Sequence, residues 1–218
     1  MSSKGKVGCG CLFIILVIFM VLAGIFVHPF TLRTIGRQFR YEDKVFKSDI
    51  IFVPRFNEDK NGEIYMDAFR EYWSGNGNTI WIEEDNLLGI SMLEIVTRMA
   101  KARGIKADVI KKMEVKGEDE ERVARIKEGF VKSGVKKVII VVPEYASRRF
   151  HLIYNSSQYS NNIVFIIKPV TVSYFKMDRW WKDSGSRMIL IREIGAIGSF
   201  YFNRFKYGEK KKEQGSAR

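Results

Sequence analysis

Cysteine and histidine are nearly absent from this chain, and their scarcity removes whole classes of chemistry. The only cysteines, Cys9 and Cys11, open a single apolar run, so the rest of the chain can hold no disulfide and no thiolate metal site. The only histidines are His28 and His151, too few for a histidine-rich metal cluster and without a partner that would make a Ser-His-Asp triad. His151 reads as a structural residue. No G-x-S-x-G, no Walker loop and no G-x-G-x-x-G is present. The sequence therefore predicts no cofactor and no metal.

Acidic residues are also in short supply. Asp and Glu number 25 against 37 Lys and Arg, a formal charge of +12 in 218 residues. Such a balance suits an anionic partner: nucleic acid, an anionic lipid surface or an acidic envelope polymer. Part of the excess sits in the terminal stretch Gly208 to Arg218, which has no apolar pattern and reads as a solvated tail. Nucleic acid ranks lowest for that reason.

Long apolar runs are missing everywhere except at one place. From Cys9 to Val27 the chain reads CGCLFIILVIFMVLAGIFV, with no charge between Lys6 and His28. A helix of about 19 residues spans roughly 28 Å, close to the thickness of a bilayer's hydrocarbon core. A buried globular helix and a cleaved signal peptide are the alternatives. Against the latter, Ala23 and Gly24 lack small-x-small spacing and are followed at once by Ile25-Phe26-Val27. The expected organisation is a short tail (1–8), a transmembrane anchor (9–27), a basic connector (28–47), one domain (48–207) and the solvated tail (208–218). Lys4 and Lys6 precede the span, whereas Arg33, Arg37, Arg40, Lys44 and Lys47 follow it, so the charge count leaves the domain on the inner side.

Beyond the connector, apolar strands alternate with helical patterns. Asp49 to Val53, Thr79 to Ile82, Ala107 to Glu114, Val138 to Val142 and Asn162 to Val170 read as strands. Between them, Glu63 to Trp73, a segment from Ser91 stopped at Gly104, Glu118 to Ser133 and Tyr145 to Tyr154 read as helices. Ser91 and Glu94 have capping-box spacing. Arg187 to Tyr207 reads as a last helix, packed on the core or touching a membrane surface. Such alternation predicts an α/β fold, a mostly parallel sheet with helices on both faces, preceded by one transmembrane helix.

The order and spacing of these elements resemble the SanA/ElyC/YdcF family. Asp49 to Val53 stands at its D-x-I-I-V strand and Gly104-Ile105 at a G-V junction. Glu121 stands at its motif glutamate and Gly134 to Val142 at its last motif strand. Tyr145 and Arg148 stand at its tyrosine and arginine motif, Trp180-Trp181 at its aromatic turn and Glu193 at its final glutamate. The resemblance, over about Ser48 to Phe202, implies a Rossmann-like domain on one membrane helix, held outside the cytoplasm. It also implies a pocket of Glu121, Tyr145, Arg148, Arg149 and Glu193, with Glu121 the candidate catalytic residue. Surface ion pairs are the alternative for Arg148 and the favoured reading for Arg149, since exposed arginine is commonplace. Where the family has glycines or His, this chain has Pro54-Arg55-Phe56, Glu83-Glu84-Asp85 and Ala146, and its Asn-Thr is Glu118-Asp119. Side chains there keep backbone amides away from an anion.

The function expected is a cell-envelope role, binding an anionic glycan or lipid-linked precursor with catalysis reduced or lost. The alternatives are an active hydrolase or transferase on a phosphorylated or carboxylated substrate, and a non-enzymatic membrane-surface scaffold.

Overall fold

The computed structural model describes residues 8–84, 86, 87, 90–115, 119–156 and 162–216. Within helices and strands it describes side chains for all but 8–11, 22, 25, 26, 86, 87, 119, 120 and 206–216. Of the sequence expectations, the 1–7 part of the N-terminal tail, Asp85, Glu118 and the last two residues, Ala217 and Arg218, lie outside the described residues.

Two helices, α1 (Gly8–Val27) and α2 (Pro29–Arg37), precede the sheet. The chain then runs β1 (Ile50–Val53), α3 (Glu63–Trp73), β2 (Thr79–Glu83) and a hairpin of β3 (Asn86–Leu87) and β4 (Ile90–Ser91). Next come α4 (Met92–Lys101), β5 (Ile110–Met113), α5 (Asp119–Lys132), β6 (Lys137–Pro143), α6 (Ser147–Tyr154), β7 (Val164–Val170) and α7 (Ser184–Ser216).

Five strands form one sheet in the order β5-β2-β1-β6-β7, every neighbour parallel. Ile50 to Val53 and Val138 to Val142 are buried throughout. That is why both segments are continuously apolar instead of alternating: helices cover both faces. Right-handed crossovers put α3 and α4 on one face and α5 and α6 on the other. Phe130 of α5 meets Phe52 of β1 edge-on, ring centroids 5.2 Å apart, and Phe165 of β7 at 6.2 Å. The register between β1 and β6 is pinned by Asp49, whose Oδ2 accepts from the backbone N–H of Lys136 (2.7 Å) and Lys137 (2.9 Å). Those two bonds hold its carboxyl below the usual carboxylate range.

The basic connector forms α2 and then a strap along the edge of the sheet. Asp43 donates its N–H to the Ile167 carbonyl and accepts the Ile167 N–H on Oδ2. The Trp180 indole donates to the Leu32 carbonyl at 2.7 Å. Gly36 is required at that contact, because a Cβ there would lie 2.8 Å from Trp180 Cδ1 and 2.9 Å from the Met177 carbonyl. The capping box is not made: Ser91 Oγ donates to Glu84 Oε1 at 2.6 Å and Glu94 pairs with Arg98. The terminal segment read as a solvated tail continues α7 as far as Ser216.

The expected anchor coincides with α1. Its side chains from Leu12 to Val21 are all exposed, over nearly three turns and so on every face of the helix. Counted over the described residues alone, no helix is long and apolar enough to cross a membrane.

Candidate functional site

The strand order sets where a site belongs. From β1 the chain leaves toward β2, and from β6 it leaves toward β7, so the connections diverge between these two neighbours. Their carboxyl ends flank a crevice, the switch point at which ligands of doubly wound sheets bind. A cavity of about 360 Å³ lies there. Its walls come from the Pro54 to Glu58 loop after β1, the first turns of α5, the end of β6 with α6, and α7.

Four arginines reach this cavity, Arg55, Arg122, Arg149 and Arg192, and glutamates among the described residues pair with Arg122, Arg149 and Arg192. Arg149 makes a two-point fork on Glu193, Nε to Oε2 at 2.7 Å and Nη2 to Oε1 at 2.9 Å, with side chains 17% and 8% exposed. Arg122 holds Glu83 in the same way, at 2.5 Å and 2.7 Å. Glu83 also accepts the Arg55 N–H at 3.0 Å. Arg192 reaches Glu58 at 2.7 Å and so ties α7 to the β1 loop. Forks of this kind fix a guanidinium in place and so preorganise the charge that an anionic ligand meets.

Opposite the charges the lining is apolar and aromatic: Phe56, Val123, Ile126, Phe150, Ile153 and Ile189. Tyr145 and Tyr154 also line it, each 2% exposed. Neither hydroxyl meets a hydrogen-bond partner among the described residues. Tyr174 stands beside Tyr145, ring centroids 6.3 Å apart, and the two hydroxyls are near enough to interact although no hydrogen bond of full geometry joins them among the described residues. Burial raises the phenol pKa of both Tyr145 and Tyr154, keeping them neutral donors. A buried hydroxyl without a partner costs on the order of 1–3 kcal/mol, a deficit that an acceptor within the cavity would remove.

The sequence-derived residues divide into two groups. Tyr145, Arg149 and Glu193 come together in the cavity. Glu121 does not join them: its side chain is 75% exposed and faces Arg125, one turn along α5, at 3.5 Å. Arg148 does not join them either. Its Nε donates to the Gln38 carbonyl at 3.1 Å and its guanidinium lies over the Tyr41 ring, on the connector side of α6. His151 stacks on that same ring, centroids 3.7 Å apart, and burial lowers its pKa.

Helical spacing explains the division and what sequence reasoning missed. Glu121 is four residues before Arg125 and shares its solvent face, whereas Arg122 is four before buried Ile126 and shares that one. Arg149 is four before Ile153, which also lines the cavity, and Glu193 lies four after buried Ile189. Arg55, Glu58 and Glu83 carried no such signal, because their positions depend on the crevice between strands. Among the described residues no group of three or more His, Cys, Asp or Glu could hold a metal ion.

Against protein-family models, curated proteins and solved structures the chain matches none.

Proposed function

We propose that this protein is a membrane-anchored, Rossmann-like binding domain with a role in the cell envelope, related to the SanA/ElyC/YdcF family and catalytically degenerate. Its ligand is an anionic glycan or lipid-linked precursor held in the switch-point cavity. The observation that carries this reading is the pairing of clamped arginines with the buried hydroxyls of Tyr145 and Tyr154, of which Tyr154 meets no acceptor among the described residues, around one cavity at the carboxyl ends of β1 and β6. Arginine suits phosphate or carboxylate, phenols supply further donors, and the apolar half suits a sugar face or a prenyl chain.

Anchoring rests on α1, apolar on all sides, followed by α2 docked on the domain through Trp180 and Gly36. Placing the domain outside the cytoplasm rests on the family resemblance, against the charge count. Proteolysis of intact spheroplasts tests it, and a domain cleaved only after lysis would sink it.

The enzymatic alternative pairs Glu121 with Arg148, and the distances favour binding without catalysis: one faces Arg125, the other Tyr41 and Gln38. A membrane-surface reading draws support from α7. Met188, Ile191, Ile194, Tyr201, Phe202 and Phe205 are exposed and fall within one arc of the helix, opposite buried Ile189 and Glu193.

To test the cavity, the full chain in detergent would be titrated with geranyl pyrophosphate and with a uronic acid oligosaccharide, following thermal unfolding. Stabilisation by at least one, lost in Arg122→Gln and kept in Glu121→Gln, is expected. No shift, or a shift indifferent to Arg122, would contradict the proposal.

A further inference from the structure

A second concave site lies between the strap and the loop that follows β7. It is an open groove of about 930 Å³ whose walls include Arg37 and Arg40 from the connector and Thr171, Lys176 and Arg179 from the far side. At its floor is Glu144, only 5% exposed.

Arg37 and Arg40 pair with Asp178 and Glu42 here, but Glu144, Lys176 and Arg179 are not clamped as the arginines of the switch-point cavity are. Glu144 Oε2 accepts from Thr171 Oγ1 at 3.2 Å and meets Arg40 Nη1 only at 3.5 Å, while Arg40 makes its shorter contact, 2.9 Å, with Glu42. None of the described residues hydrogen-bonds Glu144 Oε1. Oε1 is nevertheless not shut off from solvent, as Glu84 Oε2 is, so it stays open to a donor that enters the groove. Burial raises the Glu144 pKa. On the opposite wall Lys176 and Arg179 are exposed, and neither makes a salt bridge among the described residues. Arg37 is already engaged by Asp178 at 3.0 Å.

A ligand matched to this groove carries a negative group for Lys176 and Arg179 and, in the same molecule, a positive donor for Glu144. We infer that the groove binds a phosphoethanolamine group, its phosphate on Lys176 and Arg179 and its ammonium on Glu144. The groove opens beside α2, which begins two residues after α1 ends, so a phospholipid headgroup is one source and a free phosphodiester the other. Only the lipid source rests on the proposed anchoring.

Native mass spectrometry of the full chain from detergent micelles, supplied with phosphatidylethanolamine or phosphatidylcholine, reads the site directly, since choline has no N–H to donate. Retention of phosphatidylethanolamine at least about fivefold over phosphatidylcholine is expected. Glu144→Gln should abolish the preference, and the surface pair Lys176→Ala with Arg179→Ala should lower retention of both lipids. A parallel thermal titration with glycerophosphoethanolamine reports the free source, and a shift that depends on Lys176 and Arg179 supports the site even without retained lipid. Equal retention of the two lipids, or a preference that survives Glu144→Gln, together with no such shift, overturns the inference. Those results leave the geranyl pyrophosphate titration of the other cavity untouched, so failure of one site is distinguishable from failure of the other.

Discussion

The switch-point cavity and the groove beside the strap lie at the same end of one sheet, on either side of the Glu144-Tyr145 step, yet they handle charge in opposite ways. In the cavity, Arg122, Arg149 and Arg192 are each locked to a glutamate. In the groove, Lys176 and Arg179 are free of salt bridges among the described residues, and Glu144 is only partly compensated. Locked pairs preorganise a site at a cost in desolvation, and a ligand adds to them without having to order them. Unlocked charges favour an exchangeable ligand that supplies its own counter-charges. The cavity is thus built for shape and orientation, the groove for charge pairing.

That comparison breaks most visibly at Arg149. Arg149→Ala strands Glu193 in the interior and should cost about 3–5 kcal/mol in chemical denaturation of the full chain in detergent. The double change Arg149→Met with Glu193→Leu should recover most of that loss while abolishing the geranyl pyrophosphate shift. If the single variant is as stable as the parent, the pair is not the clamp described.

Next in size is Lys127, whose buried ammonium donates to the carbonyls of Ile153 and Tyr154 and so closes the last turn of α6 behind the cavity. Burial lowers its pKa from 10.5 to about 8. Between those values the unfolded chain binds the proton more tightly, so the Lys127 contribution to stability rises with pH across roughly 8 to 10.5, by about 3 kcal/mol in all. Lys127→Met should flatten the pH dependence of the denaturation midpoint in that window. An unchanged slope would contradict the assignment.

A smaller effect sharpens the groove side. Gly36→Ala pushes α2 off Trp180 and should cost about 1–3 kcal/mol, with loss of phosphatidylethanolamine retention and an unaltered pyrophosphate shift. Loss of both ligands together would mean that the two sites are not independent. Smallest is Glu121→Gln, which removes an exposed pair with Arg125 and should change stability by less than about 0.5 kcal/mol.

Much of this architecture was legible in the sequence. The apolar runs at Ile50 to Val53 and Val138 to Val142 announce strands buried on both faces, and Glu63 to Trp73 is helical over the full predicted range. Tyr145 and Glu193, expected in one pocket, do line one cavity, whereas Arg149, favoured as a surface arginine, proves 17% exposed and forked on Glu193, a partner 44 positions away that no local pattern records. The reading of Glu121 and Arg148 as their neighbours failed at the level of helix face, where a shift of one residue turns a side chain by about 100°. The docking of the connector was not readable, because its contacts, Trp180 to Leu32 and Asp43 to Ile167, join residues more than a hundred positions apart. No local pattern records such pairing.

The central claim is that the switch-point cavity binds an anionic ligand on clamped arginines, and hydrogen–deuterium exchange of the full chain in detergent, with and without geranyl pyrophosphate, tests it most directly. The account predicts slowed exchange confined to 55–58, 145–154 and 189–196, and its loss in the Arg149→Met, Glu193→Leu double variant. Exchange unchanged by the ligand, or protection that persists in the double variant, would contradict it.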